Sequence, residues 1–332
     1  NIPIRIGINA GSLDSKYKRC PESMILSAKD HLKILEKLRS HTATFSSVAK
    51  DLHISTQTAI NVFDKYVYPK RKKLTTTICI DEIYTNKLTH KKYSCILMDF
   101  ITKQVIEVYP SRLKSDLGKE FNSIPIEERK NVKYFVSDMW KTYSDISSVW
   151  LKNATQIVDK YHWIRQIIWA FERVRKTEQK KFNKQYRIYF KHSKKLLLKR
   201  FDYLTDDQKQ QVNVMLYASV NLSRAYFYKE EFLKILDCKD KAIASNEMSD
   251  WIKNAENSDL IELEKCAKTM KNWYNGIINS FSVPYTNGFT EGCNNKIKVL
   301  KRNAYGYKNF NRFRNRILHI FYYKQLNIKA AV

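Results

Sequence analysis

The spacing of hydrophobic residues predicts that the first part of the chain is helical. Residues 24–40 carry apolar side chains at helical intervals. Residues 45–67 have the pattern of two helices joined by a short turn, with Ser55 in position to cap the second helix. His53 lies in the turn, at a position that glycine often holds. This is the spacing of a helix-turn-helix motif, and an ordinary helical hairpin has the same pattern.

The pattern changes to strands after the basic run at residues 70–73. Segments rich in β-branched and aromatic residues predict an antiparallel meander of three strands, at residues 75–84, 91–100 and 103–110. The elements predicted next are a helix at 112–123, a buried strand at 131–138, a helix at 141–151 and a short strand at 154–158. This order predicts an α/β fold with parallel pairing across the later crossovers, which is also the order of a ribonuclease H-like domain.

The rest of the chain is predicted to be helical. Every segment from residue 161 to about residue 281 has helical spacing, which indicates a large all-α insertion. A loop rich in helix-breaking residues then leads to a final basic helical region that begins at Thr290. The predicted parts are a helix-turn-helix region with a basic linker at 1–73, the first part of the core at 74–160, the insertion at 161–281, and a final core helix with a basic C-terminal region at 282–332.

Charge and composition indicate the class of partner. The 332 residues include 60 Lys or Arg and 33 Asp or Glu, a net charge of +27, with only 7 Gly and 6 Pro. Residues 291–332 hold ten basic residues and one acidic residue, whereas residues 74–159 hold twelve and eleven. A nearly neutral, carboxylate-bearing segment between basic ones is expected of a protein that binds nucleic acid, although a generally basic surface would give the same excess.

Several classes of protein are disfavoured. No run approaches 18 uncharged apolar residues and no secretory signal is evident, so we expect a cytoplasmic protein without a membrane partner. The six cysteines form no C-x-x-C pair, which fits reduced thiols and argues against a structural zinc site or a disulfide framework. Because the chain begins at Asn1 rather than Met, we expect that N-terminal residues are missing.

Three carboxylates stand out by position. Asp81 lies on the first predicted strand, Asp138 ends the fourth, and Glu291 opens the helix after the insertion. An Asp in an apolar strand needs compensation for its desolvation, and a divalent cation held by several carboxylates would supply it. In a ribonuclease H-like sheet the first and fourth strands are adjacent, so the three side chains would converge. Each residue also has an ordinary structural explanation, and the pattern alone leaves both open.

Other residues near these strands are weaker candidates. Asp159 and His162 form an Asp-x-x-His pair that could serve a metal, a general base or a helix start, and a structural role is favoured. Trp140 could line a metal pocket or stack on a flipped base, although a core position is favoured for a tryptophan. Glu82 is expected on the opposite face of the first strand from its acidic neighbour.

The basic segments supply candidate DNA contacts. The second helix of the helix-turn-helix would present Gln57, Thr58 and Asn61 to base edges or phosphates. The C-terminal segment interleaves cations with aromatic residues, as in surfaces that neutralise phosphates and stack on unpaired bases. Its candidate DNA-binding residues are Lys296, Lys298, Lys301, Arg302, Arg312, Arg314 and Arg316. The residues expected to pack in the core are Phe310, Phe313, Ile317, Leu318 and Phe321.

Four segments closely resemble the ISL-three family of bacterial insertion-sequence transposases. They are IDEIY at 80–84, SDMWKTY at 137–143, VDKYHWIRQ at 158–166, and the long segment from NGFTEG to RNRIL at 287–318. The resemblance covers roughly residues 20 to 325 and implies an Asp-Asp-Glu transposase with a ribonuclease H-like core, a helical insertion and an N-terminal helix-turn-helix. It assigns catalysis and the binding of two Mg²⁺ ions, for which Mn²⁺ could substitute, to Asp81, Asp138 and Glu291. Asp159 and His162 resemble a signature that lies near the active site in several transposase families.

The resemblance also implies partners and a reaction. Water would hydrolyse the phosphodiester at the end of the element, and the freed 3′-hydroxyl would attack target DNA, without an organic cofactor. The expected partners are double-stranded DNA of the element's ends and of the target, bound by a homodimer. Members usually carry a Cys-rich, zinc-finger-like segment before the helix-turn-helix, whereas only Cys20 precedes it here, so we expect that this module is missing.

Two other functions fit part of the pattern. A catalytically inactive or domesticated transposase that acts as a DNA-binding regulator would need the helix-turn-helix and the positive charge, but not three carboxylates near a phosphate. A ribonuclease H-like nuclease without strand transfer, such as a junction resolvase, would need the carboxylates. The helical insertion and the long final match weigh against this second alternative.

Overall fold

The computed structural model describes residue 18 and residues 20–85, 91–285 and 288–329. The chain divides into two compact units. The first unit comprises Asn1–Lys133, Asp145–Ala154 and Asn287–Val332, and the second comprises Tyr134–Ser144 and Thr155–Thr286.

Apart from one short helix, the helices and strands follow one another in the order that the hydrophobic pattern predicts. The elements up to the fifth strand are α1 (Pro21–Lys37), α2 (Phe45–Asp51), α3 (Thr56–Tyr66), β1 (Thr77–Tyr84), β2 (Tyr93–Asp99), β3 (Gln104–Tyr109), α4 (Lys114–Ser123), α5 (Ile126–Lys130), β4 (Tyr134–Ser137), α6 (Lys141–Trp150) and β5 (Thr155–Val158). The later helices are α7 (Lys160–Lys181), α8 (Lys184–His192), α9 (Lys194–Leu198), α10 (Asp206–Tyr217), α11 (Val220–Ile235), α12 (Lys241–Glu256), α13 (Ile261–Asn272), α14 (Tyr274–Asn279), α15 (Gly288–Asn303) and α16 (Phe310–Lys329), with a 3₁₀ turn at Phe201–Tyr203.

In the first unit, α2 and α3 are each started by a hydroxyl cap. Thr44 and Ser47 form a reciprocal capping box at α2, and the Ser55 hydroxyl accepts a hydrogen bond from the Thr58 backbone N–H at α3. His53, in the turn between these helices, has a φ of 53°, the left-handed conformation that favours glycine. The three N-terminal helices share a core built from Ile34, Leu35, Leu38, Val48, Ala49, Ala59, Val62, Phe63 and Val67.

The C-terminal helix α16 packs against this helical core. The His319 imidazole Nε2 lies 3.0 Å from the carbonyl oxygen of Leu35, and the His319 ring makes an edge contact with Phe63 at 5.7 Å between centroids. The Arg312 guanidinium forms a bidentate ion pair with Asp64 on α3, with its shortest contact at 2.6 Å. The N-terminal helices and α16 therefore belong to one packed body.

The first unit also contains the three antiparallel strands. β1 pairs with β2, with Asp81 opposite Ile96, and β2 pairs with β3 through a register shift between Leu97 and Met98. Helices α15 and α16 cover this part of the sheet. Their common core consists of Ile83, Ile96, Met98, Val105, Val108, Cys293, Ile297, Leu300, Phe313, Ile317, Leu318, Ile320 and Phe321.

The second unit combines a parallel strand pair with a helical body. β4 pairs with β5 in parallel, from Tyr134 opposite Thr155 to Ser137 opposite Val158. Helix α14 packs closely on β5, because a Cβ added at Gly276 would lie 2.7 Å from a methyl carbon of Val158. Helices α7 to α14 pack around buried side chains that include Trp163, Ile167, Phe171, Phe232, Met248, Trp251 and Met270.

The predicted bounds of the strands agree with the structure to within three residues. The short helix α5 was not predicted, since Ile126 is its single apolar residue and leaves no periodicity to detect. Antiparallel strands followed by a parallel pair, with many helices, are compatible with the expected ribonuclease H-like core. Within the described ranges no helix is long and apolar enough to cross a membrane, and no disulfide joins the cysteines.

Candidate active site

Asp81 is held on β1 by two hydrogen bonds to its carboxylate. The side-chain amide of Asn294 on α15 donates to Asp81 Oδ2 at 2.7 Å, and the backbone N–H of Glu82 donates to Asp81 Oδ1 at 2.7 Å. The same amide lies 3.4 Å from the carbonyl oxygen of Glu82. Asp81 is half-buried, so both carboxylate oxygens are fixed at a place where water is only partly available.

Glu291 lies in the first turn of α15, one turn before Asn294. The Glu291 side chain is exposed, whereas Asn294 is only 5% exposed. Cys293 and Ile297 anchor the same helix in the core of the first unit. Residues three apart on a helix lie on the same side, so Asn294 brings the turn that carries Glu291 next to Asp81.

Asn294 was not singled out from the sequence, because an amide does not titrate and Asn is common on surfaces. A signal for it exists in the chain. The buried positions of α15 are Thr290, Cys293, Asn294, Ile297 and Leu300, so an amide stands within an apolar stripe. A buried amide in such a stripe needs a polar partner, and here that partner is the Asp81 carboxylate.

Glu82, the acidic neighbour of Asp81, is neutralised by a different group. Arg112 Nη1 lies 2.7 Å from each of the two Glu82 carboxylate oxygens. The Arg112 guanidinium carbon also lies 4.3 Å from the ring centroid of Tyr93. The two adjacent acids therefore have different surroundings, an arginine for Glu82 and an amide for Asp81.

In the second unit, Asp138 and Asp159 follow two neighbouring parallel strands. Asp138 comes directly after β4, and Asp159 comes directly after β5. The backbone N–H of Asp159 donates to the carbonyl oxygen of Ser137 at 3.0 Å, which continues the strand pairing to this point. Because the carboxyl ends of parallel strands share one edge of a sheet, the two aspartates lie at the same edge.

His162 and Trp140 lie near the same strand ends. His162 Nε2 is 4.0 Å from Asp159 Oδ2, and Asp159 is almost fully buried as the residue that precedes α7. The spacing Asp-x-x-His thus places the two side chains together across the first turn of α7. Trp140 is 37% exposed and directly precedes α6, so it does not have the core position that was favoured for it.

The three predicted catalytic carboxylates fit a metal by chemistry. Asp81, Asp138 and Glu291 offer hard oxygen donors, the ligands that Mg²⁺ prefers. Within the described ranges, no three His, Cys, Asp or Glu side chains are grouped closely enough to hold a metal ion. Asp81 and Glu291 belong to the first unit and Asp138 to the second. The assignment of the three residues to one metal site stays a prediction.

The predicted DNA-binding residues of α3 differ in exposure. Gln57 and Asn61 are exposed, and the Gln57 amide donates to Asn61 Oδ1 at 2.7 Å. Thr58 is half-buried, and its hydroxyl lies 2.8 Å from the hydroxyl of Ser55. Gln57 and Asn61 form one polar surface on α3, while Thr58 contributes to the start of the helix.

Three arginines predicted to bind DNA form ion pairs or hydrogen bonds with other residues of the protein. Arg312 pairs with Asp64, and Arg314 pairs with Glu107, Nε to Oε1 at 2.6 Å. Arg316 is fully buried and donates to the carbonyl oxygens of Ser40 and Ala43 at 3.0 and 2.9 Å.

For Arg316 the expectation of a phosphate contact is therefore wrong. Burial lowers the pKa of its guanidinium to about 10, partly offset by Tyr307. The spacing of the arginines explains the error, because Arg312 and Arg316 lie one turn apart on the face of α16 that meets the N-terminal helices. Net charge counted along the sequence does not reveal this orientation.

The cations of α15 are better placed for an external partner. Lys298 and Arg302 are exposed, and Lys296 is half-buried. The Lys301 ammonium donates to the carbonyl oxygen of Tyr84, and burial together with Lys298 lowers the pKa of Lys301. Among the predicted cations of this helix, Lys298 and Arg302 are the two with exposed side chains.

Comparison with known proteins assigns the family. Residues 78–317 match the profile of a family described as a transposase, of the Asp-Asp-Glu type. The transposase for insertion sequence element IS1001 of Bordetella parapertussis is 27% identical over 237 residues, which are 70% of this chain and 57% of that relative. The chain thus spans little more than half the length of that relative.

Two further relatives match only short stretches. They are 4-hydroxy-3-methylbut-2-en-1-yl diphosphate synthases (flavodoxin). The enzyme of Listeria monocytogenes serotype 4b (strain CLIP80459) is 44% identical over 70 residues, 20% of this chain and 18% of its own. The enzyme of Clostridium acetobutylicum is 49% identical over 51 residues, 14% of this chain and 15% of its own. The transposase profile, in contrast, covers more than two thirds of the chain and includes Asp81, Asp138 and Glu291, and the chain belongs to the ISL-three family of transposases.

Proposed function

We propose that the chain is a DNA transposase that binds the ends of an insertion sequence, cleaves their phosphodiesters and joins the freed ends to target DNA. Asp81, Asp138 and Glu291 are the proposed catalytic residues. The observation that carries the proposal is the hydrogen bond from Asn294 to Asp81, because it links one acid to the helix turn that bears another. The family match that spans all three acids supports it.

The family generally uses divalent metal ions, and Asp81, Asp138 and Glu291 would hold them. A bound Mg²⁺ would supply Lewis-acid chemistry at the phosphodiester. The chain's own contribution is orientation of its carboxylates. Asn294 and the Glu82 backbone N–H each fix one oxygen of Asp81, which removes rotamers that would turn the carboxylate away.

Asp159 and His162 are proposed as positioning residues. They lie at the strand edge that also bears Asp138, and a side chain 4.0 Å from a nearly buried carboxylate restricts the motion of both groups. The link between the Asp159 N–H and the Ser137 carbonyl ties this pair to the residue before Asp138. The pair would thereby keep the end of β4 in a fixed conformation.

Two exposed surfaces of the first unit are proposed to contact double-stranded DNA. Helix α3 presents Gln57 and Asn61, whose amides suit base edges or phosphates, in agreement with a helix-turn-helix function. Helix α15 presents Lys298 and Arg302 for phosphates. A homodimer would bring two ends of the element together.

The experiment that tests the proposal is cleavage of a labelled duplex that carries the DNA flanking this reading frame. Wild-type protein is compared with Asp81→Asn, Asp138→Asn and Glu291→Gln, in Mg²⁺ or Mn²⁺ and with EDTA. Asp250→Asn is the matched control, because Asp250 is an exposed acid on α12. We expect metal-dependent cuts at a defined end with wild type and control, and none with the three variants, which should still bind the duplex.

Two results would contradict the proposal. A fully active Glu291→Gln would remove Glu291 from the catalytic set. Specific binding of the duplex without cleavage under both metals would instead favour a transposase-derived DNA-binding regulator.

A further inference from the structure

Helix α7 carries an exposed row of alternating aromatic and cationic side chains. Tyr161, Arg165 and Trp169 are spaced four residues apart and so follow one another along one side of the helix. Tyr161 is 61% exposed and Trp169 is 42% exposed. The guanidinium carbon of Arg165 lies 4.2 Å from the ring centroid of Trp169 and 5.6 Å from that of Tyr161. We call these three residues the aromatic row.

The core of the second unit does not require the aromatic row. The opposite side of α7 supplies the packing residues, among them Trp163, Ile167 and Phe171, which are fully buried. Trp163 and Trp169 are thus on one helix with opposite roles. A single exposed ring is ordinary on a protein surface, but two rings with a guanidinium between them form a continuous patch that suits a partner.

The exposed side of α7 has the charge that a polyanion needs. Every residue of this helix is described, and its two acids, Glu172 and Glu178, are both buried. Glu172 binds Arg175 and Glu178 binds Lys181 and the Ser219 hydroxyl, so both carboxylates are engaged beneath the surface. The helix itself therefore contributes rings and cations to this side and no exposed carboxylate. The nearest paired cation is Arg173, one turn beyond Trp169, which forms an ion pair with Glu262 of α13.

Rings and a guanidinium in one row suit unpaired nucleotides. Each base has a flat face that stacks on an aromatic ring, and an arginine can stack on a base or donate to a phosphate. Bases within a duplex already stack on each other, so the row would select single-stranded DNA. Its location is consistent with this use, because Tyr161 adjoins His162, at 5.6 Å between ring centroids, near the strand edge that bears Asp138 and Asp159.

We propose that Tyr161, Arg165 and Trp169 form a stacking surface for unpaired nucleotides of a single-stranded DNA segment. This inference rests on the proposed transposase function, since a strand that is cut at an element's end can separate from its complement and expose unpaired bases there. Stacking on the row would hold the separated strand after the bases leave the duplex. The surface is a binding surface and takes no part in bond breaking.

The test uses the full chain and measures the dissociation constants of a labelled single-stranded oligonucleotide and of a blunt duplex of the same sequence, at one fixed salt concentration. Trp169→Ala should weaken single-strand binding about tenfold and duplex binding less than twofold. Trp169→Phe should restore most of the affinity because it keeps a ring. Tyr217→Ala is the matched control, since Tyr217 is 95% exposed at the end of α10 in the same unit, and it should change neither constant.

Three outcomes would overturn the proposal. The first is unchanged single-strand binding in Trp169→Ala, and the second is an equal loss of affinity for both DNAs in that variant. The third is a difference in sedimentation between wild type and Trp169→Ala without DNA, which would identify the row as a contact between protein molecules. None of these measurements requires cleavage. Failure of the aromatic row is therefore distinguishable from failure of the proposed transposase activity, which the Asp138→Asn comparison tests.

Discussion

The side-chain amide of Asn294 donates a 2.7 Å hydrogen bond to the Asp81 carboxylate across 213 positions of sequence. Asn294 is buried, and its helix places Glu291 one turn earlier. A fixed orientation of a catalytic carboxylate favours a high cleavage rate, because a small misplacement of a reacting group slows the reaction. The contact gives Asn294 a positioning role in the proposed reaction.

Replacement of Asn294 by Ala should slow cleavage while leaving affinity for duplex DNA unchanged. Removal of a hydrogen-bond partner that orients a metal-binding carboxylate typically lowers activity by about 10- to 100-fold, so a decrease of at least about tenfold in the cleavage rate is expected. The cleavage rate at saturating DNA, measured across a Mg²⁺ titration, checks this. A higher Mg²⁺ requirement would indicate that Asp81 has lost its orientation.

Asn295→Ala is the control for this variant, because Asn295 is the next residue on α15 and is exposed. It should cleave like wild type. Asn294→Ala with a wild-type rate and a wild-type Mg²⁺ requirement would remove the positioning role and leave Asn294 as a packing residue.

The sequence predicted the elements of the fold better than the contacts of the site. Strands β1 to β3 were located because alternating β-branched residues are a local signal. The roles of Arg316 and Asn294 were missed because each depends on a partner far along the chain, Ser40 for the guanidinium and Asp81 for the amide. Residue type suggested a phosphate contact for Arg316, and only the orientation of α16 corrects it.

Helix-capping chemistry was predicted from the sequence with more success. Ser55 caps α3 as expected, and His53 adopts the left-handed conformation at the position that glycine often holds. Both features are set by residues within a few positions of each other. The exposure of Trp140, in contrast, depends on tertiary packing, and the general preference of tryptophan for buried positions gave the wrong expectation.

His319 should make the stability of the first unit depend on pH. Burial lowers the pKa of His319 to about 4 from an ordinary value of 6.5; Arg316 and Arg39 act in the same direction, and the Leu35 carbonyl opposes them. Between pH 6.5 and pH 4 the unfolded chain binds the proton and the folded chain does not. The contribution of neutral His319 to the free energy of unfolding is therefore fully present above pH 6.5. It is lost as the pH falls from 6.5 to 4, by about 3 kcal/mol in total.

Urea unfolding of wild type and His319→Gln over this pH range measures the effect. Carboxylates titrate in both proteins, so the difference between the two unfolding free energies isolates the histidine. The wild-type free energy should fall more steeply with decreasing pH than that of the variant. Parallel curves would mean that His319 is protonated in the folded state at an ordinary pKa.

Arg316→Ala should destabilise the fold without a direct effect on DNA binding. The change removes a fully buried side chain and leaves the carbonyl oxygens of Ser40 and Ala43 without this donor. A cavity together with lost hydrogen bonds costs about 3 kcal/mol. Urea unfolding gives the free energy, and DNA affinity is measured at a temperature where the variant is folded. A loss of affinity with full stability would restore the phosphate contact that the sequence suggested.

Lys298→Ala and Arg302→Ala should behave in the opposite way to Arg316→Ala. Both side chains are exposed on α15, so their removal should leave the free energy of unfolding nearly unchanged and weaken binding to duplex DNA. Each cation that neutralises a phosphate releases a counterion, and the slope of log K against log salt should become less steep by about 0.9 for each phosphate that is no longer neutralised.

Lys253→Ala is the control for this pair, because it removes the same charge from an exposed site on α12 and any change in the slope would reflect net charge alone. Titrations of one duplex at several salt concentrations give the slopes of the three variants and wild type. Equal slopes for Lys253→Ala and Lys298→Ala would show that α15 attracts DNA only through the overall charge of +27. A shallower slope for Lys298→Ala and Arg302→Ala alone would show that α15 contacts the DNA phosphates directly. The DNA backbone would then lie against the helix that also carries Glu291 and Asn294.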